Sequence, residues 1–151
     1  LALTRIGGGR PGAAVELLQP YLPLWPDHIH LLHTMGSALL KGGQFAGALE
    51  HFQRCAAIDP GNVKAWNGAG QALARQGRFD EAESAFRRAV QADPAGFEGW
   101  AYLGNTLFQR GAYQDAITAY EQARAIRPGD AKLNHNLGLC YKRLPGGMPS
   151  P

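Results

Sequence analysis

Apolar residues recur along the chain at the spacing of an amphipathic α-helix. Trp100, Leu103 and Leu107 lie at i, i+3 and i+7, so they share one helix face. Gly111 then interrupts the pattern, because glycine readily adopts the left-handed conformation that ends a helix. A second amphipathic stretch follows and ends at Pro128, which cannot continue a helix. This segment therefore predicts two helices joined by a tight turn.

The two-helix pattern repeats with a period of 34 residues, and five columns of similar residues keep this period in phase. The recurring residues are Pro26, Pro60, Pro94 and Pro128; Gly36, Gly70, Gly104 and Gly138; Gly9, Gly43, Gly77 and Gly111; Ala14, Ala48, Ala82 and Ala116; and Leu18, Phe52, Phe86 and Tyr120. The glycine and alanine columns let two helices approach closely, and the large apolar column fills the space beside them. Because one helix pair cannot bury such a face alone, the pairs are predicted to stack.

The phased array resembles the tetratricopeptide repeat (TPR). The residues that carry the resemblance are Trp100, Leu103, Gly104 and Leu107, then Ala116 and Tyr120, then Pro128. Leu32 and Asn134 depart from the motif, since they stand where it has tryptophan. The resemblance implies an all-α fold, an α-solenoid of antiparallel helix pairs that forms a right-handed superhelix. It also implies that the first helix of each pair lines a concave groove, which in that family holds an extended peptide or a partner helix.

The period divides the chain into repeat units. We expect a partial N-terminal repeat at 1–28, three full repeats at 29–62, 63–96 and 97–130, a terminal unpaired or capping helix at 131–144, and a tail at 145–151. Gly9 and Pro11 make the opening segment a poor helix until about Ala13. The terminal helix carries Leu139 and Leu144 and is less polar than a typical cap. We therefore expect this end either to continue in a longer protein or to pack against another copy of the chain.

Composition narrows the classes of function. The chain has 151 residues, of which 45% are hydrophobic, enough for one packed domain. A net charge of +3 is too weak to indicate a nucleic-acid partner, and no apolar run approaches the roughly 20 residues of a membrane span. No leader sequence is visible, which favours the cytoplasm, whereas a leader removed from a longer chain would fit the periplasm. The sequence does not decide the compartment.

Few residues are candidates for catalysis or metal binding. His30 and His33 could share a helix face and begin a zinc site, but no cysteine or carboxylate in register completes it. The simpler interpretation is that they are polar residues at a helix N-terminus. Cys55 and Cys140 occupy columns of small residues, so we interpret them as packing residues. No cofactor, metal ion or catalytic set is predicted, and the chain is not expected to be an enzyme.

The predicted binding surface is the face of each first helix that lies opposite its apolar stripe. At about 100° per residue, the second, sixth, ninth and thirteenth positions of each repeat lie on this face. Five of these sixteen residues are Lys or Arg and only Glu98 is acidic, while every lysine of the chain lies in a first helix. This sign bias would give the groove a positive potential that steers an acidic segment inward.

The groove also offers polar and aromatic contacts. Asparagine and glutamine side chains can bond a peptide backbone through both a donor and an acceptor, and Tyr102 provides a flat anchor of the kind enriched at binding hot spots. The predicted groove residues are His30, His33, Lys41, Lys64, Asn67, Gln71, Arg75, Tyr102, Asn105, Gln109, Lys132, Asn136 and Arg143.

The predicted function is a protein–protein interaction scaffold that binds an extended acidic or polar peptide across the second to fourth first helices. One alternative is a substrate-recruiting repeat arm of a larger bacterial enzyme such as a glycosyltransferase, an idea that rests on family analogy. Another is an assembly spacer without a peptide ligand. The carboxylate clamp known in the family is not reproduced, because Gly68 and Glu98 occupy two of its positions. The expected partner is therefore a protein or peptide other than a chaperone tail, and self-association through the C-terminal end is a further expectation.

Overall fold

The computed structural model describes residues 11–25 and 27–145, and within these ranges the chain forms α-helices joined by short turns, without a strand. The helices are α1 Pro11–Leu18, α2 Ile29–Lys41, α3 Phe45–Ile58, α4 Val63–Arg75, α5 Phe79–Ala92, α6 Phe97–Gln109, α7 Tyr113–Ile126 and α8 Ala131–Arg143. Each helix packs against its neighbours along the chain, and successive first helices also touch. The fold is an all-α solenoid of antiparallel helix pairs, as predicted. The expectations for Gly9, for Pro26 and for the tail beyond residue 145 lie outside the described residues.

The first helices start 34 residues apart, at Ile29, Val63, Phe97 and Ala131. The turn between the two helices of each pair contains one left-handed glycine: φ is 80° at Gly43, 77° at Gly77 and 79° at Gly111. After each glycine the backbone N–H of the next residue bonds back into the last turn of the first helix, for example Gln44 to Leu39 at 2.8 Å. Such a bond satisfies a carbonyl that the helix end leaves without a partner. We propose the repeat boundaries at these helix starts.

Side chains cap the N-termini of three first helices. His28 Nδ1, Asn62 Oδ1 and Asp130 Oδ1 accept backbone N–H bonds at 3.2, 3.0 and 2.9 Å, respectively, each from the residue three positions further on. Gly96, at the start of α6, makes no side-chain cap bond. The residue preceding His30 and His33 in the histidine cluster is therefore a helix cap, which agrees with the simpler interpretation of that cluster.

Glycine and an aromatic ring form the contact between the two helices of each pair. A Cβ built on Gly70 would lie 2.6 Å from the ring of Phe86, and one on Gly104 would lie 2.6 Å from Tyr120. Phe86 and Tyr120 are each 1% exposed. Only a residue without a side chain allows the ring to approach this closely, which explains why the glycine column and the aromatic column keep the same period.

In α4, α6 and α8, the side chain of the fourth residue bonds to the preceding turn. The bonds run from Trp66 Nε1 to the Pro60 carbonyl at 2.7 Å, from Trp100 Nε1 to the Pro94 carbonyl at 2.7 Å and from Asn134 Nδ2 to the Pro128 carbonyl at 3.0 Å. Trp66 and Trp100 are half-buried and pack against the core. Their rings must stay near the surface because the indole N–H reaches an exposed turn. Asn134, which departs from the motif, keeps the same bond.

Candidate functional site

A cavity of about 760 Å³ opens between α2, α4 and α6 on the first-helix side of the solenoid. Seven of the predicted groove residues line it: His33, Lys41, Lys64, Asn67, Gln71, Arg75 and Tyr102. Leu40, Val63 and Asp93 also line it. These three were not predicted, because Leu40 and Val63 are apolar and Asp93 belongs to a turn.

A smaller cavity of about 190 Å³ lies between α6, α7 and α8 and is lined by Tyr102, Asn105, Lys132 and Asn136. His30, Gln109 and Arg143 line neither cavity. We expected a ligand across the second to fourth first helices, whereas the larger space lies across the first to third. The geometry therefore shifts the proposed site by one repeat toward the N-terminus.

The predicted groove face divides into an exposed rim and a half-buried floor. The second and thirteenth residues of each first helix, such as Lys64 and Arg75, are exposed. The sixth and ninth residues, such as Tyr102 and Gln71, are half-buried, and Gly68 is buried. The charged side chains consequently stand at the edges of the groove, and the amide and aromatic side chains form its base.

Charges on the two helical layers differ in their pairing. Arginines of the second helices and turns form ion pairs, for example Arg87 with Glu83 at 2.8 Å and Arg124 with Glu121 at 2.6 Å. Over residues 11–25 and 27–145, no lysine has a carboxylate oxygen within 4.0 Å. Lys41 and Lys64 thus keep an uncompensated positive charge at the rim of the larger cavity. At its opposite edge Glu98 pairs with Arg127 at 3.4 Å.

Two predicted groove arginines are held on aromatic rings. The guanidinium of Arg75 lies 4.9 Å from the ring centroid of Phe45. Arg143, two periods of 34 residues later in the chain, lies 5.0 Å from Phe108 and 5.9 Å from Tyr113. Such cation–π contacts tie the first helix to the preceding pair. Arg75 still lines the cavity, but the placement of Arg143 fits a packing role better than the predicted ligand contact.

Asn67 brings an unpaired polar atom to the floor of the larger cavity. Its Oδ1 is buried and has no hydrogen-bond partner among the described residues. Across from it, a Cβ built on Gly99 would lie 3.7 Å from this oxygen and 3.0 Å from Val90 Cγ1. A buried amide oxygen without a partner costs about 1–3 kcal/mol, so this close packing of α4 against α6 lowers the stability of the fold.

Asn105 and Asn136 are already bonded within the protein. The Tyr120 hydroxyl donates to Asn105 Oδ1 at 2.5 Å, and Asn136 Nδ2 donates to the same oxygen at 3.4 Å. Burial raises the pKa of Tyr120, so its hydroxyl remains a proton donor. We predicted Asn105 as a two-way contact for a peptide backbone; its oxygen is occupied, and only its amide N–H groups can serve a ligand.

His33 lies on the cavity wall against the buried ring of Phe52, with ring centroids 5.5 Å apart in a T-shaped arrangement. Burial lowers the pKa of His33, and the positive charges of Lys64 and His30 lower it further. The imidazole is therefore neutral near neutral pH and can accept or donate a hydrogen bond there.

The described residues contain no group of three metal-ligating side chains. Cys55 and Cys140 are buried, as predicted for packing residues, and burial raises the pKa of both thiols, which disfavours the reactive thiolate. None of the helices in the described ranges is long and apolar enough to cross a membrane.

Comparison with known proteins decides the family. A profile described as Tetratricopeptide repeat matches residues 33–97 and 76–131, which together cover more than half of the chain. The chain belongs to the tetratricopeptide repeat family. No curated protein sequence matches it. The TPR family fold agrees with the glycine, aromatic and proline columns described above.

Solved structures share the fold at low sequence identity. A crystal structure of MamA superposes with a TM-score of 0.88 at 22% identity, covering 94% of this chain and 83% of MamA. MamA from Desulfovibrio magneticus RS-1 gives 0.87 at 22% identity, with 94% and 80% covered. The first TPR domain of human RPAP3 gives 0.74 at 20% identity, with 78% and 93% covered. At these identities the similarity shows the TPR fold alone.

Proposed function

We propose that the cavity between α2, α4 and α6 binds an extended acidic peptide segment. Membership in the TPR family supports a protein-interaction scaffold as the general role. The observation that carries the finer proposal is that Lys41 and Lys64 stand at the cavity rim without a carboxylate partner in the described residues. Such charges raise the rate at which an acidic ligand reaches the groove, and dissolved salt screens this attraction.

The two sides of the cavity carry opposite charges. Lys41 and Lys64 lie on α2 and α4, whereas Asp93 and Glu98 lie at the α5–α6 edge. Acidic residues of the ligand would therefore lie over α2 and α4. The part of the ligand over α6 would be neutral or polar and would pack on Tyr102.

Affinity requires contacts besides the charges, because an exposed ion pair contributes at most about 1 kcal/mol. The amides of Asn67 and Gln71 on the floor can bond the peptide backbone. The half-buried ring of Tyr102 adds an apolar surface that the ligand covers. The lysines would accordingly select the ligand, while the floor residues would hold it.

Two lysines allow a matched test. Lys64 lines the cavity, whereas Lys142 is an exposed first-helix lysine that lines neither groove cavity and has no ion pair among the described residues. We would measure the fluorescence anisotropy of a labelled glutamate-rich decapeptide and of its lysine-rich counterpart. Lys64→Glu should weaken binding of the acidic peptide on the order of tenfold, and Lys142→Glu should leave it within about twofold.

Binding of the acidic peptide should also weaken as ionic strength rises. Equal binding of both peptides, or equal losses from Lys64→Glu and Lys142→Glu, would contradict the proposal. The alternative of a recruiting arm in a larger enzyme such as a glycosyltransferase depends on sequence outside these 151 residues and stays a hypothesis.

A further inference from the structure

The floor of the larger cavity has an apolar centre at Gly68. This glycine is the sixth residue of α4, and a Cβ built on it would lie 2.6 Å from the ring of Phe52. Phe52 belongs to the preceding second helix, and its buried ring lies among the residues that line the cavity. Because no side chain separates the two, the ring lies directly beneath the α4 backbone. The middle of the cavity floor is therefore apolar.

The following repeats carry a side chain at the sixth position of the first helix. In α6 this residue is Tyr102, which stacks on Phe86 with ring centroids 5.5 Å apart. In α8 it is Asn136, whose Nδ2 donates at 3.4 Å to Asn105 Oδ1, the acceptor of the Tyr120 hydroxyl. Of these three first helices, only α4 leaves the aromatic residue of the preceding second helix without a side chain over it.

The first helices on either side of α4 supply a ring each. His33 of α2 lies with its ring centroid 5.5 Å from that of Phe52, and the half-buried ring of Tyr102 stands on α6. Both residues line the cavity, and α4 packs against both of their helices. We call the space bounded by His33, Gly68 and Tyr102 the Gly68 pocket. Its walls and floor offer mainly apolar surface.

The two unpaired lysines of the cavity rim lie on opposite sides of this pocket. Lys64 is the second residue of α4, whereas Lys41 is the last residue of α2. Successive first helices run parallel, so a rise of 1.5 Å per residue separates the two lysines by about 16 Å along the helix axes. An extended peptide covers this distance with about five residues. The Gly68 pocket, at the sixth position, falls between the two charges.

We propose that the Gly68 pocket takes one large apolar side chain of the ligand, such as leucine, and that acidic residues stand on both sides of it in the ligand sequence. This rests on the proposed function, since it names the residue pattern that the same groove selects. The acidic residues face Lys41 and Lys64. The apolar side chain lies on Gly68 against the ring of Tyr102, and its burial contributes more to affinity than an exposed ion pair does.

Four labelled decapeptides test this pattern by fluorescence anisotropy. Each has one central residue, leucine or alanine, and its flanking residues are either glutamates or glutamines. On wild type, leucine should bind on the order of tenfold more tightly than alanine between glutamates, because more apolar surface is buried. Between glutamines all binding should be weaker, and leucine should still be favoured over alanine.

Two tyrosine variants locate the effect. Tyr102→Ala removes a wall of the Gly68 pocket and should reduce the preference for leucine to about threefold or less. Tyr113→Ala is the matched control, because Tyr113 is also half-buried but lines neither groove cavity, and it should keep the full preference. The ratio of leucine to alanine binding is taken within each variant, so a general loss of affinity cancels.

Equal binding of the leucine and alanine peptides to wild type would overturn the proposal, and so would a preference for leucine that Tyr102→Ala leaves unchanged. Equal binding of the glutamate and glutamine peptides would instead contradict the acidic preference of the groove and leave the Gly68 pocket supported if leucine is still favoured. Failure of all four peptides to bind would overturn both.

Discussion

At the scale of single residues, the molecule depends on close contacts that a column of glycines allows. The rings of Phe86 and Tyr120 occupy the space where Gly70 and Gly104 would carry a side chain. Dispersion contacts at this range are lost when the ring must move away. Gly138 belongs to the same column but faces no ring. A substitution at Gly138 is therefore a control for the same substitution at Gly70 or Gly104.

Gly104→Ala should lower the free energy of unfolding by about 1–3 kcal/mol, because the new methyl group would overlap the buried ring of Tyr120. Gly138→Ala should leave it unchanged or raise it by up to about 1 kcal/mol, because alanine favours the helix and meets nothing. Urea unfolding of both variants checks the difference. Equal effects of the two substitutions would contradict the packing argument.

His33 should make stability depend on pH. Its pKa is lowered from the ordinary value of 6.5 in the folded state, mainly by burial. The unfolded chain therefore binds a proton more readily, and the free energy of unfolding should fall as pH decreases through that ordinary value. In urea unfolding between about pH 8 and about pH 5, His33→Gln should reduce this loss. The control His135→Gln removes an exposed histidine and should lose as much stability at low pH as the wild type. A pH dependence unchanged in His33→Gln would contradict this account.

At the scale of the elements, turn bonds define where each first helix begins. In α4 and α8 a side chain caps the helix and the residue at the fourth position bonds the preceding proline carbonyl, as Asn62 and Trp66 do for α4. Asn134 makes the same bond as the tryptophans although its side chain is much smaller. The residue at this position therefore contributes a side-chain N–H donor as much as an aromatic surface.

Asn62→Ala should lower the free energy of unfolding by about 1 kcal/mol, because the Ala65 N–H loses its cap acceptor. Thermal unfolding followed by circular dichroism measures the effect. Gln53→Ala on the exposed side of α3 is the matched control and should stay within about 0.5 kcal/mol of wild type. A loss in the control as large as that in Asn62→Ala would show that the cap is not the cause.

Much of the fold could be predicted from the sequence, because glycine, proline and apolar periodicity act locally. The predicted left-handed turn at Gly111 and the end of the second helix before Pro128 are both present. One local signal was missed. Pro20 has no N–H and ends α1 at Leu18, so this second helix is shorter than the others.

The candidate site was harder to predict than the fold, because side chains can bind partners within the protein before any ligand. Arg143 lies over the rings of Phe108 and Tyr113, and the Asn105 oxygen accepts a bond from Tyr120. A helix face predicted at 100° per residue shows in which direction a side chain points, but not which groups of the protein it contacts. The period could have given a signal, since Arg75 and Arg143 each lie over an aromatic residue at the start of the preceding second helix.

At the scale of the whole molecule, the two helical layers differ in charge pairing. Second-helix and turn arginines neutralise neighbouring carboxylates, for example Arg78 with Glu81 at 2.7 Å. In the described residues, the lysines of the first helices have no such partner. Two of these lysines, Lys41 and Lys64, place unpaired positive charge at the rim of the larger cavity, and this is the basis of the proposed preference for acidic ligands.

Selection of binders from a random peptide display library tests this central claim most directly, because it assumes nothing about the partner. The account predicts that peptides recovered on wild type are enriched in Asp and Glu. Their binding should be lost in Lys64→Glu and retained in Lys142→Glu. Recovery of neutral or basic peptides, or binding that survives Lys64→Glu unchanged, would contradict it.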